Sequence, residues 1–380
     1  MSKSTMIAAV AAFGLSVGAA TAAATPAAAQ EMTIAVVGPM SGPYATIGEQ
    51  MRHGAQMAID DVNAAGGVAG GRKLKLAVED DACDPKQAVA VANRLVVAGV
   101  KFVDGHACSG STIPASAVYA ENNVLMMTPA ASNPVLTEDA SKKGWTTIMR
   151  LYGRDDAQGR FIGPWLAEKY KGKRIAILHD KSAYGGGLAQ EVRKSMNAGG
   201  LKEVMFDSIT AGDKDYRALV SNLKSLNLDA VYYGGYHTEA GLIVRQGHEA
   251  GLTAQFITDD AMATNEFWSI SGPSGEGTLF TFPTDPRENP NAKTFVERFR
   301  TQGFDPEGFT LYSYAVVQAM AEGMKRANGA DDPAAIAKAL RSGQSFQTAL
   351  GPISFDEKGD IREARYEVYV WHDGKYTATR

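Results

Sequence analysis

The sequence has only two cysteines, no excess of positive charge and, after its first thirty residues, no long apolar run. Its 38 lysines and arginines are interspersed with 42 aspartates and glutamates, which gives a formal net charge of −4 over 380 residues. Because there is no basic stripe to neutralise phosphates, nucleic acid is not an expected partner. Because no run is long enough to cross a bilayer, the chain after residue 30 is not expected to span a membrane.

The one long apolar run lies at the N-terminus. Lys3 is followed by uncharged, mostly small and apolar residues from position 6 to position 24, and then by an alanine-rich stretch that ends at Gln30. This pattern is typical of a secretory signal with a small-residue cleavage site, so we assign residues 1–30 to a cleaved signal peptide and predict export. A retained membrane anchor is the alternative, but the run is only moderately hydrophobic.

Cys83 and Cys108 each lie just after an apolar, strand-like run. Exported proteins with an even number of cysteines usually oxidise them, so we predict a structural disulfide between these two residues. A zinc or redox site that includes His106 is the alternative interpretation. One histidine and two cysteines without a Cys-x-x-Cys motif are a weak metal signal, which favours the disulfide.

The motifs of common metal and cofactor sites are missing. Asp80, Asp81 and Asp84 lack the spacing of a calcium-binding loop, and Asp84 followed by proline is typical of a helix start. Glycines 185–187 are not followed by the Lys-Ser/Thr of a phosphate-binding loop, and the first strand-to-helix turn lacks G-x-G-x-x-G. We therefore predict no bound metal ion and no cofactor.

Short apolar, β-branched runs alternate with helical patterns along most of the chain, which predicts an α/β protein with parallel sheets. The pattern occurs in two successive series, and the second begins after Gly153. The predicted strands are residues 33–38, 74–78, 102–105 and 124–128 in the first series and 174–179, 204–208, 230–234 and 255–258 in the second. Residues 277–282 and 365–371 are predicted to be further strands, and residues 283–290 an exposed connection.

Candidate site residues lie in the turns that follow the strands, since ligands of open α/β sheets bind at the carboxyl ends of the strands. These turns contain hydroxyls, backbone amides, tyrosines and acids. The serine-rich turn before the helix predicted to begin near Ser111 suits a small carboxylate, because the first N–H groups of a helix have no internal partner.

Catalytic interpretations have little support in the sequence. No G-x-S-x-G motif surrounds Ser109 or Ser111, and no histidine is paired in sequence with either serine. Since a serine nucleophile needs an adjacent base, we predict that the chain is not an enzyme and keep an exported serine hydrolase only as an alternative.

Eight short motifs spread over the chain carry a resemblance to a known family. They are VVGPMSGP (36–43), residues 80–93, Gly105-His106, TPAA (128–131), HDK (179–181) with Tyr184-Gly185, ITAG (209–212), VYYGGYH (231–237) and DEKGD (356–360). From about Glu31 to its C-terminus, the chain resembles the Leu/Ile/Val-type branched-chain amino acid binding proteins of bacterial ABC importers. The resemblance implies a type I periplasmic binding protein fold, in which two Rossmann-like lobes with parallel-sheet cores are joined by a three-strand hinge.

The resemblance also implies a domain organisation and a function. Lobe 1 is expected to comprise residues 31–150 and 282–355, and lobe 2 residues 151–281 and 356–380. The protein is expected to be a monomeric receptor of the periplasm that captures a small aliphatic amino acid, such as leucine, isoleucine or valine, and delivers it to an ABC permease. A sensor for an amide or another small carboxylate is the alternative within binding proteins.

Matching positions in the resemblance assign the polar contacts of the ligand. Ser109, Ala130 and Ser132 match the lobe 1 residues that hold the ligand carboxylate and part of its ammonium group. Tyr184 and Tyr236 match aromatic contacts of lobe 2.

The resemblance places an acid opposite these groups. Asp260 stands where the family usually has a glutamate that pairs with the ammonium group, and Asp259 is its neighbour. Buried ionised groups must be paired, so carboxylate contacts on one lobe and an acid on the other make lobe closure depend on the ligand.

The pocket for the ligand side chain is implied to be lined by Ala107, Cys108, Ala131 and Phe309. Ile47 occupies a position that is aromatic in close relatives, and Tyr44 is expected to compensate for this difference. The resemblance therefore implies recognition of an α-amino and an α-carboxylate group, and leaves the preferred side chain open.

Overall fold

The computed structural model describes residues 1–2, 31–68 and 70–379. The predicted signal peptide, apart from its first two residues, lies outside this part of the chain. The α-helices are α1 (Ala45–Ala64), α2 (Pro85–Val97), α3 (Ser109–Glu121), α4 (Val135–Lys143), α5 (Asp155–Lys169), α6 (Gly185–Ala198), α7 (Arg217–Ser225), α8 (His237–Glu249), α9 (Asn265–Ser271), α10 (Lys293–Thr301), α11 (Thr310–Arg326) and α12 (Pro333–Leu340). The β-strands are β1 (Met32–Gly38), β2 (Leu74–Asp80), β3 (Phe102–Gly105), β4 (Leu125–Thr128), β5 (Ile148–Arg150), β6 (Ile175–His179), β7 (Met205–Ser208), β8 (Ala230–Gly234), β9 (Gln255–Thr258), β10 (Leu279–Pro283), β11 (Phe346–Thr348), β12 (Gly351–Ile353), β13 (Tyr366–His372) and β14 (Lys375–Ala378).

Most strands belong to two large sheets. The first has the order β2-β1-β3-β4-β5, and all its neighbouring strands are parallel. The second has the order β14-β13-β10-β9-β8-β6-β7, in which β13 is antiparallel to both of its neighbours, β14 and β10, and the other neighbouring pairs are parallel. The predicted α/β fold with parallel-sheet cores is confirmed. We call the first sheet with its helices lobe 1 and the second sheet with its helices lobe 2.

The chain passes between the lobes three times, after β5, after β10 and after β12. Two of these crossings lie a few residues after the predicted lobe boundaries. Strand β10 pairs with β13 as far as Pro283 and so belongs to lobe 2. Asp360 accepts hydrogen bonds from Arg150 Nε (2.8 Å) and Thr137 Oγ1 (2.9 Å) and so stays with lobe 1. Such long-range pairing has no signature in the local sequence pattern.

The segment predicted to be an exposed connection, residues 283–290, is partly buried. Asp285 and Pro286 are buried, and Arg287 forms an ion pair with Asp285 at 2.6 Å. This partner compensates for the burial of the carboxylate, so the charges and prolines that predicted exposure are accommodated inside the protein. The short elements α4, α9, β5, β11, β12 and β14 were not predicted from the sequence.

Both faces of the inner strand β1 are buried, which explains its nearly uninterrupted apolar sequence. Ile34 and Val36 pack in one apolar cluster, and Ala35 and Val37 pack in another. The register of β1, β3 and β4 brings their carboxyl ends together at one edge of lobe 1. Among the described helices, none is both long and apolar enough to cross a membrane.

Candidate functional site

A cavity of about 300 Å³, including its opening, lies between the lobes beyond the carboxyl ends of their central strands. It is lined by Ile47, Ala107, Cys108, Ser109, Ala130, Ala131, Ser132, Tyr184, Tyr236, Asp260, Ala261 and Phe309. All the ligand contacts named from the sequence line this cavity except Tyr44, and Ala261 is an additional lining residue. The structure thus brings these residues together, while their contact with a ligand stays a prediction.

Lobe 1 contributes the start of helix α3 to the cavity wall. The helix begins at Ser109, two residues earlier than predicted, with Cys108 at the N-cap position. The N–H groups of Ser111 and Thr112 donate to the Cys108 carbonyl, at 3.0 and 2.9 Å. The N–H groups of Ser109 and Gly110 precede these bonds and have no partner within the described structure. They are available to an anionic group of a ligand.

The predicted disulfide fixes this helix start. Cys83 and Cys108 are joined, and their Cα atoms are 5.6 Å apart. Asp81 accepts a hydrogen bond from the Cys83 N–H at 2.9 Å, and its other carboxylate oxygen lies 2.6 Å from His106 Nδ1. His106 Nε2 lies 3.0 Å from the Tyr119 hydroxyl. Both ring nitrogens of His106 therefore have partners in the core, which argues against the alternative zinc site.

Two serine hydroxyls, those of Ser109 and Ser132, lie where the turn after β4 packs against α3. The Thr128 hydroxyl accepts from the Ala131 N–H at 2.9 Å and holds the turn. The Ser109 hydroxyl accepts from the Asn133 N–H at 3.2 Å. Ser132 is fully buried, and its Oγ has no partner at hydrogen-bond geometry among the described residues. A buried hydroxyl without a partner costs free energy, so Ser132 is a candidate ligand contact.

Lobe 2 contributes an acid that is held by two tyrosines. Tyr184 donates its hydroxyl to Oδ1 of Asp260 at 2.7 Å, and Tyr152 donates to Oδ2 at 2.8 Å. Burial raises the pKa of Asp260, although these hydrogen bonds favour its ionised form. No lysine or arginine is among the described residues that line the cavity. The acid therefore suits a cationic group of a ligand.

Asp259 shapes the same turn but does not line the cavity. Its carboxylate oxygens accept from the N–H groups of Gly235 (2.7 Å) and Ala261 (3.1 Å). Burial and the neighbouring charge of Asp260 raise the pKa of Asp259 well above its ordinary value. The structure therefore uses Asp259 to position the backbone around Asp260.

The aromatic residues of lobe 2 are placed by close packing between α6 and β8. A Cβ atom on Gly185 would lie 2.5 Å from the Gly234 carbonyl oxygen, so only glycine allows this approach. Tyr184 precedes α6 and Tyr236 follows β8, and their ring centroids are 5.2 Å apart. The two predicted aromatic contacts are thus neighbours in the cavity wall.

Tyr44 is not among the residues that line the cavity, and its expected compensation for Ile47 stays a prediction. Its ring stacks on Tyr236 with a centroid distance of 4.2 Å, and its hydroxyl lies 3.4 Å from Glu239 Oε2. The preceding Pro43 carbonyl accepts a hydrogen bond from Thr238 at 2.9 Å. These contacts hold Tyr44 against lobe 2 beside Tyr236. Ile47 itself lines the cavity together with Phe309.

Asp155, which the sequence analysis did not single out, lies behind Ser132. It is the first residue of α5 and is fully buried. Its N–H donates to the Ser132 carbonyl at 3.0 Å. Neither of its carboxylate oxygens has a partner at hydrogen-bond geometry among the described residues. Burial raises its pKa to about 8, and the nearby Ser132 hydroxyl opposes this shift. Acids are common in the first turn of a helix, so the position of Asp155 in the sequence does not distinguish a site residue from an ordinary helix start.

A family model and curated relatives match nearly the whole chain. The model described as "Periplasmic binding protein" matches residues 31–375. The chain is 48% identical over 341 residues to the Leu/Ile/Val-binding protein homolog 1 of Brucella suis biovar 1 (strain 1330), covering 89% of this chain and 90% of the relative. It is 45% identical over 346 residues to the leucine-, isoleucine-, valine-, threonine-, and alanine-binding protein of Pseudomonas aeruginosa PAO1, covering 91% of each.

A solved structure shares the fold. The branched-chain amino acid transporter substrate binding protein LivJ from Streptococcus pneumoniae, in complex with isoleucine, is similar with a TM-score of 0.82 and 27% sequence identity. The similarity covers 92% of this chain and 98% of that chain. Together with the match of the family model, these similarities show that the chain belongs to the periplasmic binding protein family.

Proposed function

We propose that the chain is a periplasmic receptor that captures a small aliphatic, branched-chain amino acid between its lobes and delivers it to an ABC permease. The observation that carries the proposal is the polarity of the cavity, with free N–H groups and hydroxyls on lobe 1 and a desolvated acid on lobe 2. A zwitterion needs donors at one end and an acid at the other. The names of the relatives, which include leucine, isoleucine and valine, support the ligand class.

The polar residues have separate roles in this arrangement. The ligand carboxylate accepts from the N–H groups of Ser109 and Gly110 and from the Ser109 hydroxyl. The ammonium group donates to Asp260, to the Ala130 carbonyl and to Ser132 Oγ. Asp155 lies behind Ser132 and accepts a hydrogen bond from its hydroxyl, which directs the Oγ lone pairs toward the ammonium group. The free oxygens of Asp155 and the unpartnered Ser132 hydroxyl support this assignment.

The remaining wall favours a small aliphatic side chain. Ile47, Ala107, Ala131 and Phe309 are all buried and present apolar groups to the cavity. An amino acid with a branched aliphatic side chain matches the polarity of this space, with its charged groups at the polar wall and its side chain at the apolar wall.

Membership in the family supports a periplasmic location after removal of residues 1–30, and we propose that the receptor acts as a monomer.

We propose that the chain acts as a receptor and not as an enzyme. The Ser109 hydroxyl pairs with the Asn133 N–H, and no described histidine side chain forms a hydrogen bond with Ser109 or Ser111. The absence of a base beside either serine favours a receptor over the serine hydrolase alternative.

Calorimetric titration with each of the twenty amino acids tests the proposal. We expect leucine, isoleucine or valine to bind with a dissociation constant of about 1 µM or lower, which corresponds to about −8 kcal/mol. Asp260→Asn should abolish this binding, whereas Asp213→Asn, at an exposed acid of the same lobe, should not change it. Binding of benzoate or acetamide but not of amino acids, or turnover of an ester, would instead support one of the alternatives.

A further inference from the structure

Glu307 of lobe 1 forms hydrogen bonds directly with lobe 2. It lies in the loop between α10 and α11 and is only 7% exposed. Its Oε1 accepts from the Thr264 hydroxyl at 3.0 Å. The Asn265 N–H donates to both carboxylate oxygens, at 3.0 and 3.1 Å. One buried carboxylate thus connects the two lobes through three short contacts.

The two segments that Glu307 connects each carry part of the cavity wall. On lobe 2, Asp260 and Ala261 line the cavity a few residues before Thr264. On lobe 1, Phe309 lines the cavity two residues after Glu307, and its N–H donates to Gln50 Oε1 at 3.0 Å. The contact between the lobes therefore fixes the apolar wall on one side relative to the acid on the other.

Glu307 is not part of the cavity itself. Neither Glu307 nor its partners Thr264 and Asn265 line the cavity, so a ligand there has no need to touch them. Because the donors and the acceptor are on different lobes, their hydrogen bonds require the lobes to be in contact as they are in this structure, an arrangement that we call closed. Separation of the lobes returns all three groups to water.

We propose that Glu307 is a positioning residue that stabilises the closed arrangement and slows ligand release without contacting the ligand. This inference takes its ligand, an amino acid, from the proposed function. The contact between the lobes does not depend on that function. A group that interacts only in the closed state shifts the balance between open and closed forms toward closure. Its loss should therefore accelerate dissociation more than it slows association.

Stopped-flow binding of leucine to the mature chain tests this role. We expect Glu307→Ala to increase the dissociation rate about 10-fold, with the association rate unchanged within about twofold, since a hydrogen bond to a charged group is lost. Glu307→Gln, which keeps an acceptor oxygen, should have a smaller effect. Glu297→Ala, at an exposed acid on α10 of the same lobe, is the matched control and should match the wild type. An unchanged dissociation rate in Glu307→Ala would overturn the inference.

Hydrogen exchange without any ligand separates a failure of this inference from a failure of the proposed function. The Asn265 amide should exchange more slowly in the wild type than in Glu307→Ala, because only the wild type offers it the carboxylate. Equal exchange at Asn265 would overturn the role of Glu307 whatever the protein binds. If no amino acid binds the wild type, the proposed function fails while the exchange comparison still decides the contact.

Discussion

Two fully buried acids close to the cavity differ in their hydrogen-bond partners. Asp260 accepts from two tyrosine hydroxyls, whereas neither oxygen of Asp155 has a partner at hydrogen-bond geometry in the described structure. An unpaired buried carboxyl destabilises the folded protein. The positive charge of an ammonium group bound nearby favours the ionised form of Asp155, so the local cost in stability is consistent with a role in ligand binding.

We expect Asp155→Asn to stabilise the ligand-free protein at high pH and to weaken amino acid binding. Burial holds the folded pKa of Asp155 at about 8. The unfolded value is about 3.9, so between these pH values the folded protein binds more protons than the unfolded protein. Wild-type stability therefore falls as pH rises through this window, and the variant lacks this loss. Urea unfolding should show the advantage of the variant growing by about 2 kcal/mol or more from pH 4.5 to pH 8.

The neighbouring Asp156 provides the control for this prediction. Arg154 and Arg160 pair with its carboxylate at 3.0 Å each, and hydrogen bonds from these arginines hold its pKa below the ordinary value against the effect of burial. Asp156→Asn should therefore give no gain in stability at pH 8. Parallel pH profiles for the wild type and Asp155→Asn would refute the assigned burial cost, and unchanged affinity would refute its action through Ser132.

The positions of most cavity residues could be predicted from the sequence because they lie in short motifs at strand ends. Tyr44 and Asp155 could not be placed in this way. Whether Tyr44 lines the cavity depends on how its ring stacks on Tyr236 of the other lobe. The importance of Asp155 depends on its burial, on the lack of hydrogen-bond partners for its carboxyl oxygens and on its position beside Ser132. All three are properties of the folded protein and have no local sequence signature.

Helix α3 links the covalent structure of the protein to its candidate site. Cys108 caps the helix, lines the cavity and is bonded to Cys83 in the loop after β2. The free N–H groups of Ser109 and Gly110 follow immediately. The direction of these groups therefore depends on an element that is anchored at its first turn.

Replacement of both cysteines by serine should reduce both stability and affinity. The bond closes a loop with a sequence separation of 25 residues, for which chain entropy gives about 3 kcal/mol. We expect this loss in urea unfolding, together with weaker leucine binding as the start of α3 loosens. Dithiothreitol should weaken the wild type but leave the double variant unchanged. A double variant with wild-type stability and affinity would show that the bond supports neither the fold nor the site.

The longer elements could be predicted from sequence, but several short ones could not. The apolar runs of β1, β6 and β8 predict buried strands because both faces of the sheets are covered by other parts of the lobes. Helix α9 has only seven residues, and β11 and β12 have three each. Such elements have too few residues to show a period, and they depend on tertiary contacts for their stability.

The lobes also meet through direct contacts between the segment before α1 and the start of α8. Tyr44 stacks on Tyr236 at 4.2 Å, and Thr238 donates to the Pro43 carbonyl at 2.9 Å. His237 lies between these two residues of lobe 2 and is fully buried, with neither ring nitrogen at hydrogen-bond geometry with a described partner. Its ring centroid is 6.1 Å from that of Tyr44. Because Tyr44 of lobe 1 provides part of the burial of His237, separation of the two lobes should expose His237 to water.

Acid should therefore favour the open form, and His237→Phe should remove part of this effect. Burial lowers the pKa of His237 to about 4 in the closed protein, whereas a solvated histidine titrates near about 6.5. Between these values the open form binds more protons, so closure is fully favoured above about pH 6.5 and weakens as pH falls. From pH 7.5 to pH 5, leucine affinity should fall up to about 30-fold more in the wild type than in His237→Phe.

His248→Gln, at an exposed histidine later in the same helix, should follow the wild type. Because both proteins retain Asp155 and Asp260, titration of these acids cancels in the comparison, and superimposable pH profiles would mean that lobe opening does not expose His237.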